Sequence, residues 1–275
     1  MSVLQAVILG IVQGLAEFLP ISSSGHLLLA ERLLGVRQGG MLLTVLLHAG
    51  TLVAVLAVFW RDWLVMLRNP FKNRVFWLLV LATLPAVAVA LLFEKQIDAL
   101  FTGWFLGFAF LITGGLLLAA DVLPRRAGRG KHAARGADLA QVSTRRALLM
   151  GAMQAVAILP GVSRSGATLA GGLWSGLNRT TAAKFSFMMS APVILGSLVL
   201  EAKDVLGEGT ALQGGWLAPL VGVAVAGVCG YLAIRWMLAL VQRASLKGFA
   251  LYVSILGLLV LADQLFFGLF FDKMI

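Results

Sequence analysis

The chain is predicted to be an all-α integral membrane protein, an inverted-topology repeat of six transmembrane helices plus two re-entrant helical hairpins. Three observations predict this. Hydrophobic residues make up 60% of the 275 positions and charged ones 12%, with a mean hydropathy of +0.95. A soluble domain carries about a quarter charged residues, so this chain has too few to face water and its solvent is lipid. Six apolar runs, about 42–60, 75–93, 102–123, 185–201, 216–240 and 248–270, have or approach the length that a span requires. A shift of 141 positions lays the first three of these runs on the last three.

Two further apolar segments, 3–35 and 147–176, are broken in the middle by PISSSGH (Pro20–His26) and PGVSRSGAT (Pro160–Thr168). Ser, Gly and Pro at that density interrupt a helix. Each half is then too short to cross, which predicts hairpins that enter and leave on one side. Irregular backbone at membrane depth persists only when buried in protein or lining a wet cavity.

The same shift of 141 pairs the two broken segments. Gly10 falls on Gly151, Gln13 on Gln154, Ala16 on Ala157, Ser22 on Ser163, Ser24 on Ser165 and Gly25 on Gly166. Three spans, an odd number, separate the hairpins, so the second half should be inverted relative to the first, with a site where the broken elements meet. No hydrophilic stretch is long enough to fold separately. The chain therefore reads as one membrane domain, 1–275, with repeat 1 about 1–124, a basic loop about 124–146 and repeat 2 about 146–270.

The formal charge of +10 is a matter of topology. Loops at about 61–74, 124–146, 177–184 and 241–247 fall on one side and hold fifteen Lys/Arg against two acids, Asp62 and Asp138. The positive-inside rule makes that side cytoplasmic, with anionic lipid headgroups as its contact and no nucleic-acid partner. The first base is Arg32, and Gln13 and Glu17 interrupt the first apolar run, so no secretory signal is expected there. Cys229 is the single cysteine, which excludes an internal disulfide and a cysteine metal cluster.

The candidate chemistry lies in the two broken segments. Gln13 and Glu17, four apart, share a helix face. An acid inside a membrane segment is costly and usually functional, here as a hard-cation ligand pair or a general acid/base. Ser22, Ser23, Ser24 and Gly25 open a new helix, where serine caps and free N–H groups favour an anion. The second segment repeats the design with Ser163, Ser165, Gly166 and Thr168 and adds Arg164, whose forked guanidinium suits phosphate. At membrane depth an arginine calls for an anion, here a substrate phosphate, so Arg164→Ala is expected to lose activity while leaving thermal stability near or above wild type, because a buried charge has been removed. Ser23 and Arg164, related by the shift, are expected to face one phosphate from opposite sides. His26 lies one turn from Ser23, within reach of a Ser–His pair. His48 reads as packing or supporting the site and His132 as inert; Asp121 and Asp263 read as structural partners of arginines.

The run from Gln13 through Glu17-FLPISSSGH to Leu27, followed by PGVSRSGAT at 160–168, resembles the undecaprenyl-diphosphate phosphatases of the bacitracin-resistance type. The likeness covers nearly the whole chain. It implies hydrolysis of undecaprenyl diphosphate to undecaprenyl phosphate and inorganic phosphate, recycling the lipid carrier of cell-wall synthesis. It also implies residence in the bacterial inner membrane, a site opening toward the extracytoplasmic side, and a divalent cation, Mg²⁺ or Ca²⁺. By position Glu17, Ser23, His26 and Arg164 would be catalytic. Ser22, Ser24, Gly25, Ser163, Ser165, Gly166 and Thr168 would hold the diphosphate, and Gln13 and Glu17 the metal. Gln13 is within the family's E/QxxxE pattern, so two essential carboxylates are not implied.

The nucleophile stays open between Ser23, with His26 as base, and His26 itself. The expected partners are a polyprenyl diphosphate and membrane lipids, with room for a homodimer. Because broken helices in an inverted repeat also mark secondary transporters, a lipid-phosphate or anion transporter or flippase is the rival reading. An intramembrane serine protease is the third; it would want Ser and His on separate packed helices.

Overall fold

The computed structural model describes residues 1–36, 40–100, 103–122, 138–207 and 215–271. Most of the basic 124–146 loop, with His132, and much of the 202–215 loop lie outside them. Among the described residues twelve α-helices and no strand occur. They are α1 (Val3–Ala16), α2 (Ser23–Leu33), α3 (Gly40–Val58), α4 (Trp60–Arg68), α5 (Arg74–Leu92), α6 (Glu94–Leu100), α7 (Leu106–Val122), α8 (Thr144–Val156), α9 (Arg164–Trp174), α10 (Arg179–Gly207), α11 (Leu217–Arg243) and α12 (Lys247–Ala262).

Helix starts follow local chemistry. Ser2 and Gln5 close a reciprocal capping box on α1. The Asn73 side chain accepts from the Phe76 N–H at the head of α5, and Ser143 accepts from the Arg146 N–H at the head of α8.

Among the described residues four helices are long and apolar enough to cross a membrane: Arg74–Leu92, Arg179–Val199, Leu217–Arg243 and Lys247–Phe267. Outward-facing Val53, Leu91, Leu217, Val228, Leu251 and Leu259 are each more than 60% exposed, an apolar surface suited to lipid and not to water. The chain is a multi-pass membrane protein.

Two of the six expected runs differ from simple spans. The run 42–60 bends by 79° where α3 hands over to α4 at Phe59, and the pair makes a fifth crossing only if counted as one broken span. Helix α4 carries Arg61, Asp62 and Arg68, so it cannot extend an apolar span, and its Asp62 accepts from Lys184 at the head of α10 at 2.8 Å. The run 102–123 yields α7 of 17 residues, because Gly103, at φ +100°, sits in a turn that precedes the helix. The run 185–201 is extended at both ends into α10, with Pro192 inside it.

The broken segments fold as two helix pairs, α1 against α2 and α8 against α9. At 14, 11, 13 and 11 residues these helices are all short of a crossing length. Across the halves, α1 lies along α11, α8 along α5 and α12 along α7. The contacts are backbone-close. A Cβ on Gly10 would come within 2.6 Å of the Gly222 carbonyl oxygen, and one on Gly151 would overlap the Ala82 carbonyl. Larger residues at either glycine would push the helices apart.

Candidate active site

The two broken loops meet through direct polar contacts: Gly161 N–H donates to Ser24 Oγ at 3.3 Å, Ser165 Oγ donates to the Leu19 carbonyl at 2.9 Å, and Arg164 reaches Glu17. A Cβ added at Gly166 would touch Pro20. Each helix after a break is capped alike: Ser22 Oγ accepts from Gly25 N–H at 3.2 Å and Ser163 Oγ from Gly166 N–H at 3.1 Å. Ser22 is held at φ 76°, the one non-glycine with positive φ among the described residues. That conformation costs about 1–3 kcal/mol. The cap and the bond between the Ser22 carbonyl and His26 Nδ1 at 2.8 Å hold it there.

Glu17 is the hub, 7% exposed at the end of α1. Its Oε1 accepts from Arg164 Nη2. Its Oε2 accepts from Ser23 Oγ at 2.6 Å and Gln13 Nε2 at 3.1 Å, and His48 Nε2 stands 3.8 Å away. One carboxylate thus collects a helix-start arginine, a helix-start serine and a same-face glutamine. The guanidinium is not exhausted by this pair, since its Nη1 is buried with no partner.

Glu17, Ser23, His48 and Arg164 line one end of a cavity of about 360 Å³, with Ser24, Ser163, Ser165 and Gln154 beside them and apolar residues of α5, α6, α10 and the second broken loop as its remaining wall, while Gln13 is buried behind Glu17. A smaller cavity of about 170 Å³ adjoins it through Ser24, His48 and Pro160, and reaches Gly25, Glu31 and Gly103.

The structure therefore brings Gln13, Glu17, Ser23, Ser24, Ser163, Arg164 and Ser165 together. Ser22, Gly166 and Thr168 lie behind them: the first two close the caps, and Thr168 Oγ1 bonds to the Arg164 carbonyl and Ser186 Oγ at 2.8 and 2.6 Å. His26 is turned the other way. Its Nε2 meets the Tyr252 hydroxyl at 2.8 Å, and its ring packs on Phe110 and Tyr252, so both ring nitrogens are engaged away from Ser23.

Asp121 receives Arg179, as the arginine-partner reading expects. Asp263 has Arg32 near enough to act on its charge, but its hydrogen bonds come from the N–H groups of Leu269, Phe270 and Phe271, a backbone clamp that no side-chain pattern announces. Sequence reasoning also missed Thr113, which accepts from Ser163 N–H at 3.0 Å, and Tyr252. It gave Gln154 no role beyond its pairing with Gln13.

For a cation, Gln13 Oε1 is buried without a partner beside the Glu17 carboxylate. Among the described residues no group of three or more His, Cys, Asp and Glu side chains is placed to hold a metal. Two hard oxygens suit a cation such as Mg²⁺ that takes its other ligands from water and substrate phosphate.

Comparison with known proteins adds to this geometry. The chain matches the family of the bacitracin resistance protein BacA over residues 6–259. It is 41% identical over 265 residues to undecaprenyl-diphosphatase 4 of Bacillus thuringiensis subsp. konkukian, covering 96% of this chain and 98% of that one. It is 41% identical to the undecaprenyl-diphosphatase of Methanobrevibacter smithii, covering 94% and 97%, and 40% identical to that of Carboxydothermus hydrogenoformans, covering 96% and 98%. With a match running from α1 into α12 and relatives aligned along their whole length, the chain belongs to the bacitracin resistance protein BacA family.

Proposed function

We propose that the chain is an undecaprenyl-diphosphate phosphatase that releases inorganic phosphate and leaves undecaprenyl phosphate. The observation that carries the reading is the Ser23–Glu17–Arg164 cluster at the polar end of an otherwise apolar cavity. Relatives bearing the name undecaprenyl-diphosphatase support it.

Ser23 is the nucleophile in this reading. Its Oγ attacks the terminal phosphorus while Glu17 Oε2, already its hydrogen-bond acceptor, takes the proton. The bond from that phosphorus to the bridging oxygen breaks, and undecaprenyl phosphate leaves with the electron pair. Water then attacks the phosphoserine, the bond from phosphorus to Ser23 Oγ breaks, and inorganic phosphate departs with the water's oxygen while the water's proton passes to phosphate or solvent. The proton on Glu17 returns to Ser23 Oγ. Arg164 Nη1, buried and unpaired, donates to the phosphoryl oxygens as charge shifts. The first turns of α2 and α9, both starting at the cavity, add N–H groups. A divalent cation held by Glu17 and Gln13 would neutralise diphosphate charge.

The broken pairs α1–α2 and α8–α9 are read as re-entrant hairpins in an inverted repeat. The matched contacts of α1 with α11 and α8 with α5, under one offset, support this. Basic loops on one side support an inner-membrane orientation with the cavity reached from the extracytoplasmic side. A transporter would not need a serine hydrogen-bonded to a buried carboxylate, so that rival is not favoured.

Purified protein in detergent should release inorganic phosphate from undecaprenyl diphosphate, and Ser23→Ala should not. Movement of lipid phosphate across liposomes without phosphate release would sink the enzyme reading.

A further inference from the structure

The polar end of the large cavity accounts for the diphosphate; the other end runs sideways between α5 and α10. The 141-residue offset relates α3 to α10 and α11 to α5, so the α10/α5 seam has a counterpart in α3/α11. That counterpart is shut. A Cβ on Gly50 would lie 2.5 Å from the Val223 carbonyl oxygen, and one on Gly230 3.1 Å from the Ala54 Cβ.

At the related positions, Gly50 becomes Ala191, Gly227 becomes Ala86, Gly230 becomes Val89 and Ala54 becomes Leu195. Each exchange adds carbon where the shut seam is in close contact, with backbone at Gly50 and Gly227 and between Gly230 and the Ala54 methyl. Pro85 and Pro192 stand inside α5 and α10, where Ala226 and Thr51 stand in the shut pair; a proline inside a helix removes a hydrogen bond and bends it. Consistent with this, α5 and α10 touch along far less of their length than α3 and α11. The gap between them is the apolar part of the cavity, walled by Ala86, Ala90 and Leu91 on one side and Pro192, Val193 and Gly196 on the other. A Cβ on Gly196 would meet nothing within 4 Å, so the mouth is open there.

We infer that the α5/α10 gap is a lateral door for the polyprenyl chain, which lodges its first isoprene units there while the rest stays in the bilayer. This rests on the reading of the polar end as a lipid-diphosphate site. The occupant follows from the two ends of one cavity. An apolar wall gains from hydrocarbon and nothing from a free anion. A phospholipid diester could fill the wall, but it has no terminal phosphate to bring to Ser23.

The test uses undecaprenyl phosphate with a photoactivatable diazirine in its first isoprene units, and the full chain in detergent. Adducts should map to 86–91 and 192–197 and be displaced by undecaprenyl phosphate but not by phosphatidylglycerol. Adducts on α3 and α11, or displacement by both lipids, would overturn the door. A second arm compares phosphate release from undecaprenyl diphosphate and soluble isopentenyl diphosphate. Gly196→Trp should lower the ratio of kcat/KM, long over short, about tenfold or more, with Gly196→Leu between. An unchanged ratio in both variants would count against the door. Wild-type protein that takes the label on α5 and α10 yet releases no phosphate would remove the phosphatase reading and leave the door standing.

Discussion

Arg164 and Glu17, 147 residues apart, form an ion pair at the meeting point of the two broken loops, and Ser23 holds the other oxygen of the same carboxylate. The pair ties α1 to the head of α9 and holds the carboxylate to which Ser23 donates, its proton acceptor in the proposed reaction. One guanidinium nitrogen of Arg164 therefore serves the fold, while another is buried and unpartnered and is the one that meets phosphate in the proposed reaction.

Loss of the arginine should be felt in both respects. Arg164→Ala strands the Glu17 carboxylate, 7% exposed, without its countercharge, a change that costs about 3–5 kcal/mol in comparable buried pairs. Melting temperature and turnover should both fall. Neutralising both partners, Arg164→Met with Glu17→Gln, should recover most of the melting temperature and none of the activity. Arg164→Lys keeps the charge without the fork and should lose about 10²-fold in rate. Normal turnover by the lysine variant would confine the residue to an ion-pair role.

The pairing also shows what could be read from sequence and what could not. That a serine caps the helix after each break was legible, because capping is decided within three residues and the offset of 141 exposed both breaks at once; that Ser22 and Ser163 are the capping serines was not. That Arg164 needed an anion was legible too. That the first anion is Glu17 was not, because nothing local links positions 147 apart. The direction of His26 is equally non-local: it is set by Tyr252, 226 residues away. The bend at Phe59 and the late start of α7 at Leu106 escaped because hydropathy reports apolar length and not helix continuity.

Metal and carboxylate effects should separate Glu17 from Gln13. Chelation should abolish phosphate release, and Mg²⁺ or Ca²⁺ should restore it. Glu17→Ala removes the acceptor of Ser23, the partner of Arg164 and the charged cation ligand together. Gln13→Ala removes one hydrogen bond and an unpaired oxygen. Glu17→Ala should be near inactive, while Gln13→Ala should keep measurable turnover and need more metal. Full activity in excess chelator would take the cation out of the reaction.

His26 and Tyr252 give a graded test of how α2 is held. Tyr252→Phe deletes one hydrogen bond to Nε2 and keeps the ring contact, so the rate should fall by no more than about tenfold, the scale of a single hydrogen bond. His26→Ala also frees the Ser22 carbonyl, unpacks Phe110 and should cost far more. Equal loss in both would mean that the hydroxyl itself takes part in the chemistry.

Orientation is testable at two exposed positions outside the site. Phe71, 85% exposed, follows α4 on the side holding the basic loops, whereas Lys95 lies one span away in α6. In a Cys229→Ser background, a membrane-impermeant thiol reagent added to intact cells should label Lys95→Cys and spare Phe71→Cys. Permeabilised cells should label both. The expected asymmetry follows from fifteen basic residues against two acids in the loops on the Phe71 side, since translocating Lys and Arg is disfavoured while acids weigh little. Labelling of Phe71→Cys alone in intact cells would invert the protein, and with it the side from which the diphosphate reaches Ser23.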